Sequence, residues 1–333
     1  MVAKFRVLRV DAPAGWEPTL EAEELAKVGA ELRVAHLWAE DEIIAAAAEM
    51  DGLLVGAAPI TRRVMTALPR LRVVGRYGIG VDCVDVEAAT ELGVAVCNTP
   101  GYCAREVADH ALMLLLTCNR QLLPMLQAMR EGVWDRDLAR GLHSLHSLTL
   151  GIVAFGDIGR EVAKRARAFG LRVLAYDPFV SQAVADAHEV SMVSLEKLLA
   201  QADYVSVHAP LTKQTHHLLS EREFGLMKPT AFLLNTARGP VVDEAALVKA
   251  LREGRIAGAA LDVFENEPID KQNPLLAMAN VVVTPHIAGS TTESYQEVTR
   301  RLGLAVGTVL AGGWPTRDLN NPAVKDNARP PRG

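Results

Sequence analysis

Apolar positions along this chain come in short runs, mostly β-branched or leucine-rich, separated by stretches with helical spacing. Phe5–Val10, Leu32–Leu37, Gly52–Val55, Val73–Val74 and Val94–Cys97 read as strands, with helices at Thr19–Val28, Asp41–Glu49 and Val86–Leu92 that carry acids in or near their first turns. The alternation then restarts. Leu150–Phe155, Arg172–Tyr176, Tyr204–His208, Ala231–Asn235, Ala259–Val263 and Val281–Thr284 read as strands; helical patterns at Arg160–Phe169, Leu195–Leu199, Glu221–Leu226, Glu244–Glu253 and Leu275–Met278 separate most of them. Strands that alternate with helices form parallel sheets covered by helices on both faces, and two runs of alternation predict two α/β domains. Val107–Thr117 reads as a long buried helix near the first boundary and Gln121–Leu148 as an arm or loop without clear period. From Asn320 the chain is rich in Pro, Asn and charge and is expected to fray.

Composition narrows the function classes. Half of the 333 residues are apolar, the formal charge is −5 with both signs mixed, and no basic tract stands out, so neither nucleic acid nor anionic membrane is expected as a partner. The greasiest stretch, Ala111–Thr117, is far too short to span a bilayer. The first apolar run is broken by charges, so it is no signal peptide. Four cysteines without a CxxC pair fit a reduced, cytoplasmic protein.

Chemistry concentrates in the second half. Leu150–Phe155 leads through Ala154-x-Gly156-x-x-Gly159 into a helix, and Asp177 follows the next strand, 18 residues after Gly159. This is the layout of a dinucleotide site: backbone approaches the pyrophosphate at Gly156, the helix N-terminus supplies N–H donors, and Asp177 accepts from the adenosine ribose. A carboxylate there repels a 2′-phosphate, which favours NAD over NADP. Ala154 stands where the motif has its first glycine and fits only if its φ stays negative; Asp157 puts a negative charge near the phosphates. Further on, Arg238, Glu267 and His286 each follow an apolar, strand-like run. Reduction of a 2-keto acid needs a cation for the substrate carboxylate, an imidazolium to protonate the keto oxygen, and a carboxylate to hold that imidazole. Glu265 is a rival for the carboxylate. His143 and His146 form an HxxH pair with no acidic or cysteine partner close by, and adjacent His216 and His217 cannot easily face one ion, so no metal is expected.

With these residues in place, the chain resembles the D-isomer-specific, NAD-dependent 2-hydroxyacid dehydrogenase family from about Asp51 to Asn321. The likeness is carried by the segments Gly75–Asp82, Asn98–Tyr102, the glycine loop, Asn235–Gly239, Leu261–Pro268 and Thr284–His286. The resemblance implies two doubly wound Rossmann- or flavodoxin-like domains with an active-site cleft between them: a discontinuous substrate domain at residues 1–100 and 289–320, an NAD-binding domain at 101–288, and a frayed tail at 321–333. It implies substrate binding by Tyr77, Gly78, Ile79 and Arg238, and selects Glu267 over Glu265. It implies cofactor contacts from Ile79, Gly156, Asp157, Ile158, Gly159, Asp177, Ala209, Pro210, Thr236, Ala237, Arg238, Asp262, His286 and Gly289, and a homodimer formed through the NAD-binding domains. Departures narrow the activity to a small, unphosphorylated 2-keto acid and its (R)-2-hydroxy acid. Phosphoglycerate-acting members carry an arginine where Gly56 stands, and often a C-terminal regulatory domain beyond the point where this chain stops. The family's corepressors carry a tryptophan where Gly289 stands, and formate dehydrogenases a glutamine where Glu267 stands. A phosphoglycerate dehydrogenase-like enzyme and an NADH-responsive regulator of the corepressor type are the alternatives.

Overall fold

A computed structural model describes residues 4–13, 15–17 and 20–330. The chain divides into two compact units, residues 1–102 with 291–333 and residues 103–290.

The first unit holds β1 (Phe5–Arg9), α1 (Leu20–Ala26), β2 (Ala30–Val34), α2 (Glu40–Ala47), β3 (Gly52–Val55), α3 (Arg62–Ala67), β4 (Val73–Arg76), α4 (Val86–Glu91), β5 (Ala95–Cys97) and α12 (Thr292–Leu310). Its five parallel strands run in the order β2-β1-β3-β4-β5, the flavodoxin-like arrangement. Leu8, Leu53 and Val74 face a core with Ile43, Val64 and Ala88 from α2, α3 and α4. Val7, Leu54 and Val73 face another with Leu25 of α1 and Leu302 and Val306 of α12. Burial on both faces explains why these strands read as unbroken apolar runs. Gly75 lets α12 lie close, since a Cβ there would sit 2.8 Å from Val306 Cγ2.

The second unit opens with α5 (Ala104–Asn119) and α6 (Leu122–Arg130). It continues through β6 (Thr149–Val153), α7 (Asp157–Ala168), β7 (Arg172–Tyr176), α8 (Gln182–Asp186), β8 (Ser191–Met192), α9 (Leu195–Gln201), β9 (Tyr204–Val207), α10 (Glu221–Phe224), β10 (Phe232–Asn235), α11 (Glu244–Arg252), β11 (Gly258–Leu261) and β12 (Val281–Val283). Seven parallel strands run β12-β11-β10-β9-β6-β7-β8, a Rossmann order that reverses between β6 and β9. One face packs on α9, α10 and α11 through Leu198, Phe224 and Leu247. The other packs on α5 and α7 through Leu115, Phe155 and Val162.

Several expectations need correction. The second strand is Ala30–Val34 rather than Leu32–Leu37. The first helix begins at Leu20; the expected start, Thr19, lies outside the described residues. The segment Gln121–Leu148 contains α6 and two short 3-10 turns, while Leu275–Met278 is a 3-10 turn at Pro274–Ala277. Helices α3, α8 and α12 and strand β8 were not foreseen.

Nor does the chain fray at 321–330. Leu319 bridges Cys97 in antiparallel fashion, and Asn320 N–H donates to Val96 O at 2.8 Å. Asn321 accepts from Val96 N–H at 2.8 Å and donates to Thr90 Oγ1 and Val94 O, both at 3.0 Å. The Arg329 guanidinium donates to the carbonyls of Leu92, Leu68, Leu71 and Met65. Polar side chains dock this segment on backbone groups, so apolar periodicity does not reveal it. Residues 331–333 lie outside the described residues.

Replacing buried Asn321 with Ala strands the Val96 N–H and the Val94 carbonyl. Stability should fall by about 1–3 kcal/mol, read as a lower denaturant midpoint; an unmoved midpoint would show that the docking contributes nothing.

Candidate active site

In the second unit Gly156, Asp177, Arg238, Glu267 and His286 each follow the C-terminal end of a strand, where parallel sheets place their ligand sites. At the end of β10, buried Asn235 accepts from Ala237 N–H and donates to Arg238 O, both at 3.0 Å, wrapping the turn that presents Arg238. Gly239 is required next, because a Cβ there would lie 1.8 Å from Phe264 O. That contact brings the Arg238 turn against the segment after β11, which carries Glu267.

Glu267 Oε1 accepts from Phe264 N–H at 3.0 Å, and Oε2 meets His286 Nδ1 at 2.6 Å. Burial works against ionisation of Glu267, but the hydrogen bonds from His286 and Phe264 and the charges of His286 and Arg238 outweigh it, so its carboxyl lies below the usual range. A carboxylate only accepts, so Nδ1 carries the proton and Nε2 is left as the nitrogen that can exchange one. His286 is 45% exposed at its side chain, open enough to meet a substrate. Its backbone is left-handed, with φ 54°, a conformation costing a non-glycine residue about 1–3 kcal/mol.

Asp262 holds that conformation. Fully buried, it accepts at Oδ1 from the Thr284 hydroxyl (2.6 Å) and Ile287 N–H (3.0 Å), and at Oδ2 from Ala288 N–H (2.8 Å). Its carbonyl accepts from His286 N–H at 2.8 Å. Asp262, expected to face the cofactor, thus clamps the histidine loop. His110 of α5 reaches the clamp, with Nε2 3.0 Å from Thr284 Oγ1. It went unnoticed in the sequence because an apolar helix reads as core.

Glu265 turns to a different histidine. Its Oε1 lies 2.5 Å from His217 Nε2, while Asp243 Oδ2 lies 3.9 Å from the opposite nitrogen, Nδ1. The two carboxylates lie at opposite ring nitrogens, whereas a metal takes one nitrogen. His216 stacks on His217 at 4.0 Å between ring centroids.

The glycine loop fits a dinucleotide. Gly156 caps α7 without a side-chain cap, and a Cβ there would meet nothing within 4 Å. A Cβ at Gly159 would sit 2.5 Å from Ala154 O, so that glycine lets the helix pack on the strand. Asp157 is exposed in the first turn of α7, and Ile158 packs on the core. Asp177 accepts from Phe155 N–H (2.9 Å) and Phe179 N–H (2.8 Å), leaving about half the acceptor capacity of its carboxylate for a ribose. Ala209 is buried after β9 and Pro210 exposed; Thr236 is buried and Ala237 half-buried. Gly289 sits against Cys103, whose Sγ lies 2.9 Å from where a Cβ would be. Ala154 overturns the expectation of a negative φ: it lies at 72°.

In the first unit, Tyr77 is corrected. Its N–H donates to Val55 O at 2.9 Å and its hydroxyl to Glu21 at 2.8 Å, so its backbone has no donor for a substrate. The N–H groups of Gly78 and Ile79 meet no acceptor among the described residues, whereas their carbonyls accept from Thr99 and Asn98. Asp11 fills the next loop, accepting from the N–H groups of Gly56, Ala57 and Ala58.

Residues 112–288 match the family model described as D-isomer specific 2-hydroxyacid dehydrogenase, NAD binding domain. The chain belongs to that family. A glyoxylate reductase from Korarchaeum cryptofilum is 42% identical over 276 residues, 82% of each chain. A D-3-phosphoglycerate dehydrogenase from Methanocaldococcus jannaschii is 38% identical over 302 residues, 90% of this chain but 57% of that protein. Several phosphoglycerate dehydrogenases are similarly longer, so the chain spans little more than half of them. Among solved structures, a D-lactate dehydrogenase from Aquifex aeolicus complexed with NAD and lactic acid superposes with TM-score 0.83 at 29% identity, covering 92% of this chain and 96% of that one. The Rossmann unit is accordingly an NAD-binding domain of a family of oxidoreductases.

The left-handed Ala154 yields a graded expectation. Ala154→Gly should hold or raise stability, whereas Ala154→Val should lower it by about 1–3 kcal/mol, because a β-branched residue tolerates positive φ worst. Denaturant titration checks the order; a valine variant as stable as the parent would mean the loop relaxes freely.

Proposed function

We propose that the protein interconverts a small, unphosphorylated 2-keto acid and the (R)-2-hydroxy acid with NADH and NAD. The observation that carries the reading is the His286–Glu267 pair, with Nδ1 committed to the carboxylate and the His286 side chain 45% exposed. In reduction, NADH held at the glycine loop and Asp177 would supply the hydride for the substrate C2. His286 gives its Nε2 proton to the keto oxygen, and Glu267 steadies the imidazolium before that transfer and fixes the ring afterwards. Arg238, on its braced turn, pairs with the substrate carboxylate. In oxidation, neutral Nε2 takes the hydroxyl proton. The R preference rests on family membership alone.

Asp177 favours NAD, since a carboxylate at the end of β7 repels a 2′-phosphate and Pro178 and Phe179 bring no cation. Asp11 already occupies the three N–H groups at Gly56–Ala58, which disfavours a phosphate in that loop. The phosphoglycerate dehydrogenases among the relatives keep the phosphorylated alternative in the test panel. Homodimerisation through the NAD-binding unit is supported by the exposed Met113, Leu122, Leu126, Met129 and Trp134 on and beside α5 and α6.

Assays with glyoxylate, hydroxypyruvate, pyruvate and phosphohydroxypyruvate, with NADH against NADPH, should give turnover on an unphosphorylated acid and a higher kcat/KM with NADH. No turnover on any of them, with NADH still bound, would favour the regulatory alternative. His286→Ala should lower kcat by about a hundredfold to ten-thousandfold, and Arg238→Ala should act mainly through KM. Glu267→Gln withdraws the charge that favours imidazolium. Reduction should therefore fall off, and oxidation rise, at lower pH than in the parent. Glu265→Gln, whose partner is His217, should leave both profiles in place; the reverse pattern would reassign the carboxylate.

For assembly, the expected solution mass is that of a dimer. Trp134→Glu with Leu126→Glu should shift it toward monomer in sedimentation, and a monomeric parent protein would end that part of the proposal.

A further inference from the structure

We propose that His110 is a positioning residue for His286, acting from α5 through Thr284 and Asp262. The proposal rests on His286 being the proton-transfer group argued above, and it follows from the direction of the hydrogen bonds. The Thr284 hydroxyl has one proton, and the contact with Asp262 Oδ1 at 2.6 Å takes it, because an ionised carboxylate only accepts. Thr284 Oγ1 is then an acceptor toward His110. Nε2, at 3.0 Å, must therefore be the donor, which fixes the tautomer or requires the charged ring. The same Nε2 lies 3.6 Å from Asp262 Oδ1, and the His110 side chain is 13% exposed.

His110 and Thr284 thus donate along one chain into Asp262, the carboxylate that also accepts the N–H groups of Ile287 and Ala288, immediately after His286. The left-handed backbone at His286 persists only where its surroundings over-determine it. Without His110 the Thr284 hydroxyl regains its freedom of rotation. Asp262 then shares its oxygens less rigidly, in a buried network whose members depend on one another. Helix α5 packs on α7, β10 and β11, so the donor comes from a rigid element rather than from the loop it steadies. A histidine that merely filled space there would need no partner of defined polarity.

The test uses the full chain. His110→Phe keeps volume and removes the donor, His110→Gln returns an N–H near the place of Nε2, and Thr284→Val cuts the same chain from its other side. We expect His110→Phe to lower kcat about tenfold, as loss of a group that orients a catalytic residue typically does, with KM and the NADH dissociation constant little changed. His110→Gln should recover most of the loss. His110→Phe combined with Thr284→Val should cost less than the sum of the two. In the protein without substrate, the His286 imidazole resonance, assigned by its absence in His286→Phe, should move in His110→Phe and return in His110→Gln.

An unmoved resonance and unchanged kcat in both His110→Phe and Thr284→Val would overturn the proposal. So would equal losses in the Phe and Gln variants that track a fall in thermal stability. If the parent protein turns over no 2-keto acid, the functional reading fails, while the resonance still tests whether His110 positions His286.

Discussion

One buried carboxylate, Asp262, is the constraint on which the candidate site depends. A charge removed from water is tolerable only when hydrogen bonds replace its hydration, and Asp262 receives three at its carboxylate, all from the Thr284–Ala288 segment. The desolvation cost of the charge and the strain of a left-handed His286 are met by the same contacts. Loosening the loop would unsatisfy the carboxylate, and losing the carboxylate would release the loop. The histidine therefore stands on buried electrostatics although it comes from an exposed turn after a short strand.

The paired acids after β11 show how local packing divides labour. Glu265 and Glu267 lie two residues apart, and each meets a histidine. Glu265 is drawn to His217 and the start of α11, where it and Glu244 exchange backbone contacts. Glu267 bends back to the Phe264 N–H and turns its second oxygen to His286. Gly239 makes both arrangements possible, since any side chain there would push the Phe264 carbonyl away and separate the Arg238 turn from the segment bearing the acids.

What was legible in the chain follows from which physics leaves a pattern. Strands such as Leu150–Phe155 and Gly52–Val55 are buried on both faces and appear as apolar runs; the strand ends where Arg238, Glu267 and His286 gather were readable for that reason. Helix α12 was not, because its buried face includes Ser294, Thr299, Gly303 and Gly307. Small residues serve close approach there: a Cβ at Gly303 would lie 2.6 Å from Glu21 Cα. Helix α6 buries none of its residues, so it has no core-facing stripe to detect. The docked segment after Asn320 is held by amide and guanidinium groups on backbone carbonyls, an arrangement that composition alone cannot tell from a solvated tail. Likewise Tyr77 matches its motif by residue type, yet its N–H belongs to the backbone pairing with Val55.

Backbone strain supplies the last link between fold and chemistry. Within the NAD-binding unit, Ala154 and His286 both adopt left-handed conformations at the ends of strands, one opening the dinucleotide loop and the other presenting the proton-transfer group. Each is locked by a neighbour with no room or freedom to yield: the Ala154 carbonyl lies against Gly159 of α7, and the His286 turn is bound to Asp262. Strain of this kind persists only if packing elsewhere exceeds it, and the two helical layers over the seven-stranded sheet provide that excess. The sheet thus does more than gather residues at its edge. Its rigidity lets two unfavourable backbone conformations survive where a flexible loop would relax them, and the direction of the His286 ring follows from that.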